Sequence, residues 1–328
     1  MFGSAFGGPG PLLLLLLALG IDALFGDWLD RILPDPAGLA RRFCNAADAR
    51  LNRAERGASA QLLRGALVVL ALLVIAVAAG LAVEWVGSIG RGWMLELLAL
   101  LCGLRGRAAW TRVRAVRRAL ENGGVVPGQE AIQSLTRRHV YGLDEHGIAR
   151  AAVEAAARAF DRKLVAPVFG YALLGVPGLF VWTAMDGADA ALGSPGVRHG
   201  RFGSTAATLD DALNALPARL AGLLLALAAP FIGTAKAASA FRALRSDARK
   251  HPSLNMGWPI AAMAGALGLA LGGPHRDGGV VITESWIGDG RARVTPADIG
   301  RALALSAVAA LLLVGLVALL LWGMTLSD

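Results

Sequence analysis

The chain is poor in several features that soluble proteins normally have. Charged residues make up only 17% of its 328 residues, whereas a soluble domain carries about a quarter. Its two cysteines, Cys44 and Cys102, are too far apart in the sequence for a metal-type motif and too few for a disulfide framework. Strand-like alternation of polar and apolar residues is almost absent, and no internal repeat is visible. These absences argue against a soluble globule, a disulfide-rich domain, a β-protein and a repeat protein.

Long apolar runs are what the sequence has instead. Apolar residues reach 55%, and the runs lie at about 11–26, 66–86, 92–104, 164–185, 219–235, 258–272 and 302–322. They predict an all-α integral membrane protein, a polytopic helical bundle that forms a single membrane domain over residues 1–328. Pro167 and Pro177 lie in the fourth run, which predicts a broken or re-entrant segment. We interpret the first run as a retained helix, because no basic residue precedes it.

The basic residues are concentrated between the apolar runs. The net charge is +8, and lysine occurs only at positions 163, 236 and 250, so arginine supplies nearly all of it. Arginine-rich blocks lie in the segments 27–65, 105–163 and 236–257. Nucleic acid, anionic lipid and an anionic substrate are each compatible with a basic chain. In a membrane protein, however, arginine first marks cytoplasmic loops. We therefore predict that the three segments are helical cytoplasmic loops, with the lipid bilayer as a partner and no nucleic acid.

A first polar cluster follows the first apolar run. Asp22 and Asp27 flank Gly26 at a depth where a carboxylate is costly, which favours a functional role. The alternative is that both aspartates mark the end of a helix at the membrane surface.

A second cluster consists of Asp210, Asp211, Asn214 and Arg219. On a helix, an aspartate and Asn214 share one face. Their oxygen atoms suit a Mg²⁺ ion held between Asp210, Asp211 and a substrate phosphate, and Arg219 suits the same phosphate. The alternative is an acidic helix start, where the macrodipole favours aspartate. Asp189, upstream, is either a further oxygen ligand or a residue at a solvated helix end.

A third cluster is polar and glycine-rich. His251, Ser253, Asn255 and Trp258 fall within eight residues, which suits hydrogen bonding to a ligand. His251 and Ser253 do not predict a hydrolase, because no third group is available to orient the histidine. We expect the second and third clusters and the corner at 22–27 to share one pocket.

Taken in order, these motifs resemble the CobD/CbiB family, adenosylcobinamide-phosphate synthase. The resemblance covers nearly the whole chain and is weakest at 30–130. It is carried by Asp22-x-x-x-Gly26-Asp27, Leu143-Asp144-Glu145-x-Gly147, Ala166-Pro167, Leu209-Asp210-Asp211-Ala-Leu-Asn214-Ala-Leu-Pro217-Ala-Arg219, His251-Pro-Ser253-x-Asn255-x-Gly257-Trp258, Leu271-Gly-Gly-Pro274 and Trp286-Ile-Gly288.

The resemblance implies a multi-pass enzyme of the bacterial inner membrane that takes part in cobalamin biosynthesis. Such an enzyme joins aminopropanol phosphate, or a similar amino alcohol phosphate, to the corrinoid adenosylcobyric acid through an amide bond. In the family this ligation is tied to ATP and a divalent metal, here Mg²⁺. The implied catalytic residues are Asp210, Asp211, Asn214 and Arg219, with Asp210 and Asp211 as metal ligands. The implied substrate-binding residues are Asp22, Asp27, Asp189, His251, Ser253, Asn255 and Trp258.

The sequence also departs from the family pattern. Basic residues stand at Arg138, Arg158 and Arg162, where the family has acidic ones. Thr208 replaces an arginine and Ile260 replaces a glutamate. These departures favour a second interpretation, a non-catalytic or regulatory membrane protein on the same scaffold, similar to AmpE-type proteins. A transporter is a third interpretation, which draws on the broken fourth run and the glycine-rich sixth.

Overall fold

A computed structural model describes residues 10–53, 57–89, 92–136, 140–193, 200–277 and 280–327. These residues are mainly helical, which confirms the prediction of an all-α membrane protein. Four helical stretches are long and apolar enough to cross a membrane: Pro11–Leu51, Ala58–Gly87, Glu145–Leu192 and Pro296–Leu326. Ser204–Leu213 and Ala215–Phe231 meet the same test only when they are taken together.

The described residues contain 13 α-helices. They are α1 (Pro11–Ile32), α2 (Pro36–Leu51), α3 (Ala58–Gly87), α4 (Trp93–Gly103), α5 (Gly106–Gly123), α6 (Val125–Gln133), α7 (Glu145–Phe160), α8 (Ala166–Leu192), α9 (Ser204–Leu213), α10 (Ala215–Ala228), α11 (Ala237–Ser246), α12 (Gly257–Leu267) and α13 (Pro296–Ser327). A π-helical turn, Asp161–Val165, separates α7 from α8, and short 3₁₀ turns lie at Ala229–Phe231 and Ala248–Lys250.

The chain divides into two compact units. The first unit comprises Met1–Arg105, Ala166–Asn214 and Ala318–Asp328, and the second comprises Gly106–Val165 and Ala215–Val317. Each unit is therefore built from segments that are distant in the sequence.

Small residues allow the helices of the first unit to approach closely. α2, α3, α8 and α9 meet in a core that includes Cys44, Leu72, Met185 and Phe202. A Cβ atom on Gly80 of α3 would lie 2.4 Å from the Cα atom of Pro177 in α8. Such contacts are typical of membrane helices, where close backbone packing replaces the hydrophobic effect.

α8 is interrupted in its middle, as its prolines and glycines predict. Leu174 and Gly175 have non-helical backbone angles, and Gly175 adopts φ +64°, which a residue with a side chain rarely does. Pro177 follows. The amide of Val176, just after the break, donates a hydrogen bond of 3.0 Å to the Glu84 Oε1 atom of α3. The carboxylate thus replaces a helical acceptor at a position where water is scarce.

The second unit surrounds α12 with other helices. α10 and α11 pack on α12, and a Cβ atom on Gly265 would lie 2.4 Å from the Ser239 carbonyl oxygen. The only strands among the described residues are four short ones: β1 (Leu271–Gly272) pairs with β4 (Trp286–Ile287), and β2 (His275–Asp277) pairs with β3 (Val280–Ile282). They carry the chain from α12 to α13.

The helix bounds refine three of the predicted apolar segments. α1 continues past residue 26 to Ile32. α4 has 11 residues and is therefore about 16 Å long, too short to cross a hydrocarbon core of about 30 Å on its own. The segment 258–272 begins as α12, which ends at Leu267, and finishes in β1.

We expect Glu84→Ala to lower the free energy of unfolding by about 1–3 kcal/mol, because the Val176 amide would lose its acceptor. Glu84→Gln keeps an acceptor oxygen and should lose less. Titration of the detergent-purified chain with a denaturing detergent measures both variants. An alanine variant as stable as the wild type would show that the hydrogen bond does not support the break.

Candidate functional site

The predicted site residues fall into both units. The first unit contains Asp22, Asp27, Asp189, Asp210, Asp211 and Asn214, and the second contains Arg219, His251, Ser253, Asn255 and Trp258. The predicted single pocket for all of them stays a prediction. Within each unit, the structure shows which residues it brings together.

In the first unit, Asp210 and Asn214 form the predicted pair at the end of α9. The Asn214 amide nitrogen donates to the Asp210 Oδ1 atom and to the Asp210 carbonyl oxygen, each at 2.9 Å. Both side chains are buried, with 2% of Asp210 and 1% of Asn214 exposed. Asp211, next to them, is half-buried. α9 is held here because Phe202 and Ala206 belong to the core of the unit.

The position of this pair excludes one of the alternatives. Asp210 and Asp211 lie in the last turn of α9, which ends at Leu213, and not in its first turn. The macrodipole stabilises aspartate at a helix start and disfavours it at a helix end. The interpretation as an acidic helix start is therefore wrong. The macrodipole does not favour carboxylates at this end, and acidic residues within apolar segments are candidate functional residues.

The donor set at this position suits a hard cation. The Asn214 Oδ1 atom is buried and accepts no hydrogen bond from the residues that the structure describes, although buried acceptors normally have a partner. This atom belongs to Asn214, whose amide nitrogen donates to the Asp210 carboxylate. No group of three or more His, Cys, Asp or Glu side chains is close enough to hold a metal among the described residues. A Mg²⁺ ion often uses one or two carboxylates together with substrate phosphate, so the residues present fit such an ion.

Asp22 and Asp27 lie within α1, which runs on to Ile32. Asp22 is buried and Asp27 is half-buried. The alternative in which both mark a helix end is therefore wrong, because Gly26 does not stop the helix. Asp189 lies half-buried in the last turn of α8, directly after Ala188 of the core. Its position at a helix end leaves both interpretations of this residue open.

In the second unit, the third cluster forms a hydrogen-bonded turn before α12. The Ser253 amide donates to the His251 Nδ1 atom at 2.9 Å, and the Met256 amide donates to the Ser253 hydroxyl at 3.3 Å. Asn255 is buried, and its carbonyl oxygen accepts the Trp258 amide. A Cβ atom on Gly257 would lie 1.8 Å from the Ala248 carbonyl oxygen, so only glycine fits there.

Arg219 reaches this turn from α10. Its guanidinium carbon lies 4.7 Å from the centre of the Trp258 ring, a cation–π contact. One guanidinium nitrogen also donates to the Ala215 carbonyl oxygen. The α10 helix comes close because Gly222 lies against the backbone of Trp258. The structure thus joins Arg219 to the third cluster through Trp258.

Charged side chains of α7 affect the pKa of His251. Burial lowers the pKa of His251, the nearby carboxylates of Glu154 and Glu284 oppose the shift, and Arg158 adds to it. Because the Nδ1 atom accepts the Ser253 amide, the neutral ring carries its proton on Nε2. The Glu154 Oε1 atom accepts the Gly272 amide of β1 at 2.8 Å, which ties α7 to this strand.

Charged residues that no sequence motif indicated lie on α7 and in the π-helical turn. Glu154 is half-buried on α7, and Asp161 is fully buried in the π-helical turn, with the adjacent Arg162 at 3.9 Å. Such turns are frequent at functional sites. Charged residues within an alanine-rich apolar stretch are the signal that was available. In the sequence, Arg158 and Arg162 stand out only as departures from a family pattern. Arg138, a third departure, lies outside the described residues.

Asp247 fixes the backbone on the other side of His251. It accepts the Gly288 amide at 2.7 Å and pairs with Lys250 at 2.6 Å. Burial raises the pKa of Asp247, but the hydrogen bonds from Lys250 and Gly288 outweigh this effect and lower the pKa overall. The turn is therefore held to β4 and its following loop by an ionised carboxylate.

Comparison with known proteins gives consistent results. Residues 15–306 match the family described as "CobD/Cbib protein". The chain is 37% identical to "Cobalamin biosynthesis protein CobD" of Sinorhizobium sp, over 89% of this chain and 93% of that protein. It is 36% identical to the protein of that name in Rhizobium meliloti, over 88% and 90%. For the one in Rhodobacter capsulatus, the identity is 35% over 95% and 98%. No solved structure matches significantly.

We expect His251 to make the stability of the chain depend on pH. Because the folded pKa is lowered, the unfolded chain takes up the proton first, at about pH 6.5. The stability that the neutral ring contributes is therefore present above that pH and is lost as the pH falls through the folded pKa. Unfolding measured at several pH values should show this loss in the wild type and not in His251→Asn. Equal pH dependence of the two proteins would contradict the assignment.

Proposed function

Because this chain belongs to the CobD/CbiB family and has a role in cobalamin biosynthesis, we propose that it is an adenosylcobinamide-phosphate synthase. In this proposal it joins an amino alcohol phosphate to adenosylcobyric acid through an amide bond, at the bacterial inner membrane. The observation that carries the proposal is the buried Asp210–Asn214 pair at the end of α9. The macrodipole disfavours aspartate at a helix end, and a carboxylate buried within an apolar segment is a candidate functional residue.

In this proposal, the residues that bind Mg²⁺ and phosphate lie in the first unit. Asp210 and Asp211 would hold Mg²⁺ together with a phosphate, and the Asn214 amide orients the Asp210 carboxylate. Bound Mg²⁺ would neutralise phosphate charge, and bound ATP would supply the activation that a carboxylate needs before it forms an amide. Burial of the Asp210 side chain limits competition from water.

The second unit supplies groups that suit recognition of a polar substrate. His251, Ser253 and Asn255 offer hydrogen-bonding groups on a turn whose backbone is fixed by Gly257 and Asp247. The side chains of a corrinoid are rich in amides, which require both donors and acceptors. The cation–π contact with Trp258 holds the Arg219 guanidinium in place, where its N–H groups suit a phosphate or carboxylate.

A non-catalytic or regulatory protein on the same scaffold is the second candidate. The basic residues Arg158 and Arg162, at positions where the family has acids, favour it. Two acids, Glu154 and Asp161, nevertheless lie among them on α7 and the π-helical turn, and Asp161 is fully buried. The presence of the buried Asp161 carboxylate in this stretch supports the synthase over the non-catalytic candidate.

We expect the Asp210→Ala variant to lose amide formation by about a hundredfold or more, a loss typical of a removed electrostatic contact in a catalytic site. Asp210→Asn should lose nearly as much, because it keeps the volume and removes the charge. Asp289→Ala changes an exposed carboxylate and is the matched control. The assay follows adenosylcobinamide phosphate in membranes that contain equal amounts of each protein. Full activity of the alanine variant would contradict the metal–phosphate role.

We expect this chain to restore cobinamide formation in a bacterial strain that lacks its own synthase, since the acids of α7 and of the π-helical turn are present. The corrinoid products of the complemented strain are measured by mass spectrometry. A relative such as the Rhodobacter capsulatus protein serves as the positive control. Failure of this chain at normal membrane levels, with success of the control, would favour the non-catalytic candidate.

A further inference from the structure

A stripe of basic side chains runs along α5. Arg107, Trp110, Arg114 and Arg118 recur at the helical repeat and so share one face. The opposite face is buried and consists of Ala109, Val113, Val116 and Leu120. Arg114 and Arg118 are exposed. The helix is therefore amphipathic, with the arginines opposite its buried residues and Trp110 half-buried among them.

Trp110 contacts two of the arginines of this stripe. The guanidinium carbons of Arg107 and Arg114 lie 5.1 and 5.4 Å from the centre of its ring. Both are cation–π contacts, which hold two flexible side chains on the same indole. Arg107 and Arg114 are thus preorganised, and less side-chain entropy is lost when they bind an anion.

The same tryptophan fixes the stripe beside a membrane-spanning helix. The Trp110 indole nitrogen donates to the Leu303 carbonyl oxygen of α13 at 3.1 Å. Leu303 lies near the start of the candidate span Pro296–Leu326. Arg117 of α5 lies against Gly300 of α13, and pairs with Glu121 at 2.8 Å. α5 therefore contacts α13 in its first turns, and tryptophan and arginine are the residues typical of the membrane surface.

We propose that the stripe Arg107–Trp110–Arg114–Arg118 of α5 binds the headgroups of anionic phospholipids. The ligand is a phosphodiester fixed in the bilayer surface, which the arginine side chains meet while Trp110 stays at the depth of the lipid glycerol. Charge complementarity and the attachment to α13 support a lipid as the occupant. The proposal concerns a surface of the second unit and is independent of the catalytic assignment.

A lipid titration of the full-length chain in a neutral detergent tests this proposal. Native mass spectrometry measures the affinity for phosphatidylglycerol and for phosphatidylcholine. We expect the wild type to prefer phosphatidylglycerol, and the preference to fall by about fivefold for each arginine removed. Arg107→Gln, Arg114→Gln and Arg118→Gln together should abolish it. The corresponding triple lysine variant keeps the charge and should keep most of the preference.

A control with the same change in net charge separates a site from general attraction. Arg41, Arg42 and Arg50 are exposed on α2, and their replacement by glutamine should leave the preference unchanged. An equal loss in this control, or an unchanged preference in the α5 glutamine variant, would overturn the proposal. Soluble glycerol 3-phosphate should compete poorly. Competition at concentrations similar to those of the lipid would show that the stripe binds soluble phosphates and would also overturn it.

Discussion

The hydrogen bond from the Val176 amide to the Glu84 carboxylate shows the constraint that governs the first unit. A helix can break within a membrane only where protein satisfies the freed backbone groups, because lipid cannot. Glu84 supplies an acceptor, Gly80 leaves room for Pro177, and Gly175 adopts the required backbone angles. The second half of α8 then carries the residues on which α2, α3 and α9 pack. The placement of Asp210 thus depends on a tolerated break elsewhere in the unit.

The same constraint explains why the buried polar residues of this chain are informative. With so few charges in the sequence, each buried one replaces an apolar residue that would pack at lower cost. Asp247 has a structural reason, since it holds the Gly288 amide and Lys250. Glu84 has another. Asp210 accepts a hydrogen bond from Asn214 at a helix end where the macrodipole disfavours a carboxylate. Its burial within an apolar segment is the feature on which the proposed metal–phosphate role rests.

Much of the fold could be predicted because hydropathy and proline placement are local properties. The apolar runs, a break within the fourth run and the pairing of an aspartate with Asn214 follow from composition and spacing, whereas the position of the break and the choice of Asp210 do not. The continuation of α1 through Gly26 could not be predicted, because polar residues beside an apolar run resemble a helix end. The roles of Glu84 and Glu154 depend on partners 92 and 118 residues away. No local pattern encodes such contacts, and the π-helical turn around Asp161 likewise has no spacing signature.

The acids on α7 and in the π-helical turn, Glu154 and Asp161, also change the meaning of the departures from the family. Arg158 and Arg162 each place a positive charge where the family has a negative one. Taken singly, these changes suggest that a functional site has been lost. In the structure, Asp161 lies 3.9 Å from Arg162. The charges of Glu154 and Arg158 both affect the pKa of His251, in opposite directions. Electrostatic potential is a property of the neighbourhood, since it sums over all charges within several ångströms. A reversed charge therefore does not remove the polar surroundings of His251, because Glu154 remains one helical turn from Arg158 and accepts the Gly272 amide.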